Sequence, residues 1–292
     1  MLACTYVSVG CNIVMIFLKF FAGIVGHSSA LLADAAHSFS DLFTDVVLFA
    51  GIKVATLPPD KDHPYGHAKA ETIAAFCVSA VLFVLGFFII SNALSDSLAI
   101  AGGELLSQPG PVAVWVAFIS IVCKELLYQY TIKEAVEFDS PALLANAWHH
   151  RSDALSSIAA LLGVSAAVFL GKKWAVFDPL AALVVAFMIL WVAYNTLRSV
   201  LSELLEASLD DEIVDRIREI IFSVDGVRDI NDLKTRRIGS SGAVEVDICV
   251  DPGLTVIKAH DIATAIETKI HSALNSNIFI SVHIEPFCRK DE

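Results

Sequence analysis

Six apolar runs, each about the length that crosses a bilayer, constrain this chain more than any other feature. They cover residues 2–24, 29–52, 71–94, 112–132, 141–170 and 177–204. A spanning helix needs roughly 20 mainly apolar residues, and hydrocarbon admits only helices and closed barrels, which satisfy their own backbone. Hydrophobic residues make up 56% of the 292 and the mean hydropathy is +0.67, beyond what a soluble globule carries. The first run is too long for the apolar part of a signal peptide and no small-residue cleavage site follows, so it reads as a retained span. The expectation is an α-helical membrane protein with a six-helix transmembrane bundle over 1–205. Where the composition turns soluble, a small α+β domain follows over 206–292.

Ionisable groups inside such runs are costly, and by default they mark a pathway, a relay or a bound ion. His37 and Asp41 stand four apart in the second run, and His149 and Asp153 repeat the spacing in the fifth. On a helix each pair shares one face, one turn apart. If the two faces meet, two imidazoles and two carboxylates supply a tetrahedral shell suited to zinc. The plainer reading is four unrelated polar residues, each satisfied by a neighbouring span. Asp45 extends the stripe by one turn, lining a route in or standing at the interface. Asp34 and His150 flank the pairs and read as supporting or interfacial groups rather than ligands. Lys19 in the first run must snorkel or pair inside the bundle.

Between the second and third runs lies a polar, proline-broken loop with Asp60, Asp62, His63 and His67. It is a short chelating tract or an ordinary solvated loop. Six spans place both ends on one side. Lys53, Lys61, Lys69 and Lys133 fall on the side of the C-terminal domain, which the positive-inside tendency makes cytoplasmic; Lys172 and Lys173 dissent. The formal charge of −12 argues against nucleic acid as a partner. The six cysteines include no CxxC pair and read as small buried hydrophobes rather than a disulfide framework.

In the C-terminal part, Ser208 to Asp211 resembles a capping box opening a helix with Ile213, Ile217 and Ile220 on one face, ended by Asp225-Gly226. A strand is expected near 227–237. Strict alternation from Val244 to Asp251 marks the next, with Val244, Val246, Ile248 and Val250 facing one way. An amphipathic helix over about 255–274 and a last strand carrying Ile278, Ile280, Val282 and Ile284 inward complete an α-β-β-α-β order. That suits a small sheet with both helices on one face. The other face carries Glu245, Asp247, His283 and Glu285, and His260 begins the second helix. These form a chelating set or a solvated sheet face, and Asn231 is a loop polar or a part of it.

Enzyme signatures are missing: no HExxH, no GxSxG elbow and no phosphate-cradling Gly-Lys-Ser/Thr loop, so neither catalysis nor ATP-driven work is expected. An ion gradient is the remaining energy source. A metal displaces protons from histidine when it binds, so metal moving one way with protons returning is the natural coupling.

The stretches Ser28 through Asp41, His63-Pro-Tyr-Gly-His-Ala-Lys-Ala-Glu71 and Asn146 through Asp153 resemble the cation diffusion facilitator family, in the family's order and over nearly the whole chain. The resemblance implies a homodimeric divalent metal/proton antiporter, zinc exporters among them, with no organic cofactor. It places the transport site on His37, Asp41, His149 and Asp153, and a loop site on Asp60, His63 and His67. It also implies a cytoplasmic metallochaperone-like domain that dimerises and binds metal, carried onto Asp247, His260, His283 and Glu285, and a charge interlock of Lys69 with Glu206. Asn231 and Asp247 stand where some members have histidine, which puts a binuclear cytoplasmic site in question. The two-His two-Asp set resembles zinc-selective members, while Fe(II), Mn(II), Cd(II) and Co(II) remain alternatives. Short loops and no targeting signal point to a bacterial inner membrane. Two other classes stand beside this reading: a non-transporting scaffold that retains the membrane fold, and an intramembrane metal hydrolase. Four protein ligands would close the coordination shell against the hydrolase.

Overall fold

The computed structural model describes residues 2–102, 108–137, 141–171, 174–239, 241–274 and 278–287. Lys172, Lys173 and Cys288 lie outside them. Six long helices come first: α1 (Leu2–Val25), α2 (Ser29–Ala55), α3 (Lys69–Ala101), α4 (Pro111–Glu137), α5 (Pro141–Phe169) and α6 (Phe177–Leu204). Then follow α7 (Asp211–Phe222), β1 (Asp229–Ile238), β2 (Ser241–Val250), α8 (Val256–Leu274) and β3 (Phe279–Pro286). The chain divides into two compact units. The first runs to Val47 and resumes over Cys77–Thr196; the second joins Leu48–Phe76 to Leu197 and the chain beyond it.

In the first unit, α1, α3, α4, α5 and α6 are each long and apolar enough to cross a membrane. The 27-residue α2 is as long, but Asp34, His37, Asp41 and Asp45 make it more polar. Its burial explains how it carries them: Ala30, Leu31, Ala33, Asp34 and Ala35 are all enclosed. The lipid-facing sides are read from exposed apolar stripes at helical spacing. They run through Val14, Phe17, Phe21 and Ile24 on α1, and through Val184, Phe187, Trp191 and Tyr194 on α6. Helix contacts are made by small residues, since lipid offers no hydrophobic drive between helices and close packing must supply it. Ala182, Ala186 and Ala193 of α6 meet Val78, Leu82 and Ile89 of α3. At Gly163 of α5 an added Cβ would overlap the Ala181 side chain and the Phe177 carbonyl. The third and fourth helices run past the expected ends, to Ala101 and Glu137, so Ser95 and Asp96 are helical.

The second unit contains a three-stranded sheet in the order β1-β2-β3, with β1 antiparallel and β3 parallel to β2. A parallel pair needs a crossover, and α8 supplies it. The core lies between the sheet and the helices: Val244, Val246, Ile248 and Val250 pack with Ile217 and Ile221 of α7 and Ile266 and Ile270 of α8. Ile221, not Ile220, is fully enclosed, with Ile213 and Ile220 at the margin. The expected capping box does not form. α7 is capped at Asp210 without a side-chain cap bond. The Ser208 hydroxyl instead lies 2.7 Å from Thr235 Oγ1, and Asp210 pairs with Arg237 at 3.1 Å. A nearby strand offered these side chains better partners than their own helix did. Gly226, at φ 101, makes the turn after α7 that a side chain would strain.

Candidate metal centre in the helix bundle

His37 and Asp41 sit on α2, and His149 and Asp153 on α5. The i, i+4 spacing brings Nδ1 of each histidine to 3.7 Å from Oδ1 of its aspartate. That is too long for a hydrogen bond. A tetrahedral ion with bonds of about 2.0–2.2 Å holds its ligand atoms roughly 3.4 Å apart. The spacing therefore suits an ion between the groups better than a direct bond. Across the helices, ligand atoms of His37, Asp41 and Asp153 all fall within 4.8 Å of one another. His37 Nδ1 and Asp41 Oδ2 are buried without a hydrogen-bond partner. Buried polar atoms are normally satisfied, and exceptions call for an explanation such as an ion. His149 is looser, its side chain 49% exposed. Asp45, one turn beyond Asp41, is exposed.

The flanking groups divide sharply. Asp34 is fully buried, ion-paired to Lys19 at 2.7 Å. It also accepts hydrogen bonds from Ser156 and Ser157, while Lys19 donates to Ser38 and Ser157. Lys19 therefore pairs inside the bundle. His150 is buried, with neither ring nitrogen partnered.

Three residues escaped the reading of the sequence. Lys124 of α4 donates to Asp153 Oδ2 at 2.6 Å in a buried ion pair. Asp178 at the start of α6 accepts from Ser28 Oγ and the Ser29 amide, both at 2.6 Å, and so caps the N-terminus of α2. Asp96 accepts from Ser29 Oγ at 2.7 Å. A charged residue within or beside an apolar run was the available signal for all three, but spacing along one helix does not name a partner on another.

In the second unit, Asp60, His63 and His67 form the other group able to hold an ion among the described residues. Asp60 Oδ1 accepts the His63 and Asp62 amides at 2.6 and 2.9 Å, and Oδ2 lies 3.4 Å from His67 Nε2. The bond from the His63 amide, first among its causes, holds the Asp60 carboxyl below its ordinary value. Lys69 reaches Glu206 at 3.4 Å, both about half exposed, and Arg236 reaches the same carboxylate at 3.3 Å. On the open sheet face Asp247 is paired in register with His283, and Glu285 accepts from Asn231 Nδ2 at 3.0 Å. His260 is exposed near the start of α8, which covers the other face, and is not gathered with them.

Residues 5–205 match the cation efflux transmembrane domain, and residues 209–287 match the cation efflux protein cytoplasmic domain. The manganese efflux system protein MneP of Bacillus subtilis is 32% identical over 280 residues, 94% of this chain and 93% of the relative. Metal tolerance protein C1 of Arabidopsis thaliana is 37% identical over 279 residues, 92% of this chain but 59% of the relative's length. Magnetosome protein MamM of Magnetospirillum gryphiswaldense is 31% identical over 265 residues, 91% of this chain and 82% of the relative. An integral membrane bundle followed by the matching α+β domain makes this chain a member of the cation efflux, or cation diffusion facilitator, family of membrane transporters.

Proposed function

We propose that the protein exports a divalent metal ion from the cytoplasm in exchange for protons, by alternating access, as a homodimer in a bacterial inner membrane with its C-terminal domain cytoplasmic. The observation that carries this reading is the meeting of His37, Asp41 and Asp153 inside the bundle, with His37 Nδ1 and Asp41 Oδ2 unpartnered. Zn(II) is the first candidate, with His149 completing two nitrogens and two oxygens once its side chain turns inward. Protons that reach the same imidazoles and carboxylates weaken the site, so loading with protons on the outer side releases the metal. Asp60, His63 and His67 form a further candidate site on the cytoplasmic side. Asp247, His260, His283 and Glu285 are candidates for metal shared between two C-terminal domains, where zinc would act as a regulatory ion.

A specific observation favours a second cargo. The close set contains two carboxylates and one imidazole, with His149 half exposed. Oxygen-rich sites suit Mn(II) better than zinc. The relative from Bacillus subtilis carries manganese efflux in its name. Uptake of Zn(II), Mn(II) and Fe(II) into proteoliposomes under an imposed pH gradient separates these readings. Zinc flux that follows the gradient and vanishes in His37→Ala/Asp153→Ala supports the first. Manganese flux with the same losses keeps the mechanism and changes the cargo, and no flux of any metal by a folded dimer favours a membrane scaffold.

A further inference from the structure

Lys124 lies midway along α4, 13 residues from Pro111 and 13 from Glu137, about 20 Å from either helix end. Its side chain is 5% exposed, too deep for the ammonium to snorkel to an interface. An ammonium has three donors, yet among the described residues its hydrogen bond goes to Asp153 Oδ2 alone. That leaves Asp153 with one oxygen, Oδ1, which faces His149 at 3.7 Å. Asp153 is also one of the three residues that converge on the candidate ion position. One carboxylate is thus claimed by two cations, one built into the protein and one arriving as cargo.

We propose that Lys124 is an internal competitor for the metal, which sets how tightly the site binds and how readily it lets go. The inference rests on the transport-site reading given above. In the empty site the ammonium holds Asp153, so that this carboxylate does not stand as a bare charge in the bundle while the empty carrier returns. An entering divalent ion meets a fixed positive charge and must loosen the Lys124–Asp153 bond to gain both oxygens. When the metal leaves, the ammonium closes back on the carboxylate. A carrier needs a site that binds well enough to load and weakly enough to unload, the requirement that governs conducting sites in channels. Without the competitor, affinity rises and turnover falls.

The test is Zn(II) binding by calorimetry, with the full chain in lipid nanodiscs and the loop ligands removed by Asp60→Ala, His63→Ala and His67→Ala. The component abolished by His37→Ala/Asp41→Ala is the site in question. Lys124→Met should tighten this component at least ten-fold and slow zinc release from loaded vesicles several-fold. Lys124→Arg keeps the charge, and its fork engages both carboxylate oxygens, so it should weaken zinc several-fold. It also serves if the methionine variant fails to fold. Unchanged or weaker binding in a folded Lys124→Met, or equal or tighter binding in Lys124→Arg, overturns the competitor while leaving the site itself standing. Zinc binding that survives His37→Ala/Asp41→Ala in full removes the site reading, and the competitor with it.

Discussion

Among the described residues the bundle contains two buried lysine–aspartate pairs, and they are not alike. Lys19 and Asp34 join α1 to α2, and three serines supply further partners: Ser38 and Ser157 accept from the lysine, while Ser156 and Ser157 donate to the carboxylate. Lys124 and Asp153 join α4 to α5 through one short bond, beside a histidine nitrogen and a carboxylate oxygen with no partner. A saturated buried pair is a structural tie, because each charge has exchanged water for protein donors and acceptors. An unsaturated one leaves lone pairs available to something that comes and goes. The degree of satisfaction, rather than the presence of charge, separates scaffold from site in this membrane domain.

The largest effect should come from breaking the saturated pair. Asp34→Ala leaves Lys19 charged and buried, and loss of one partner of such a pair costs about 3–5 kcal/mol. Thermal unfolding in nanodiscs measures it, and the double substitution Lys19→Met/Asp34→Leu should recover much of the loss. A fully stable Asp34→Ala would mean the network carries no structural load, and the contrast would collapse.

Next in size is loss of transport without loss of fold. His37→Ala or Asp41→Ala should lower metal flux by more than the roughly 10–100-fold seen when mere supporting partners of a ligand are removed. Stability should hold or rise, since an unsatisfied buried polar atom costs about 1–3 kcal/mol. Flux assays paired with unfolding curves check both halves. A variant that loses flux only because it unfolds would place His37 with the scaffold.

Exposed groups set the lower end of the scale. Lys69 and Glu206 are half in water, and Arg236 shares the carboxylate. A double-mutant cycle on Lys69 and Glu206 should give no more than about 1 kcal/mol. A value matching the Asp34 loss would show that burial is not what makes the inner pair strong.

The smallest effect concerns pH in the loop. The Asp60 carboxyl is held below its ordinary value by the His63 amide. A carboxylate with a lowered folded value contributes its bonds fully above the unfolded value, and they are lost as pH falls through the lowered one. The Asp60 tie to His63 and Asp62 should thus persist down to about pH 4 and fade only below it. The carbon-13 shift of the Asp60 carboxyl, followed by NMR against pH, reports this directly. A midpoint at or above the ordinary carboxylate value would contradict it.

Much of this was legible in the residues. Five of the six long helices follow from apolar length, and β2 and β3 from strict alternation at Val244–Val250 and Ile280–Ile284. The i, i+4 placement of His37 with Asp41 and of His149 with Asp153 was visible too, since helical geometry is local. What stayed hidden depended on partners distant in sequence. Ser208 resembles a cap yet bonds Thr235, because a strand 27 residues on lies nearer than the helix donors. Asp178 looks like an ordinary first-turn acid of α6 and in fact closes the start of α2. Lys124 passes for a blemish in an apolar run until α5 brings Asp153 to it.

The sequence by itself determined which segments are long and apolar enough to enter a membrane and which residues are costly enough there to require a reason. It did so because apolar length and helical period are properties of one segment at a time. Only the tertiary structure decided which costly residues neutralise one another and which remain unsatisfied. That depends on which helix faces which, and a hydrogen bond between side chains 29 or 123 residues apart leaves no mark in the spacing of either helix.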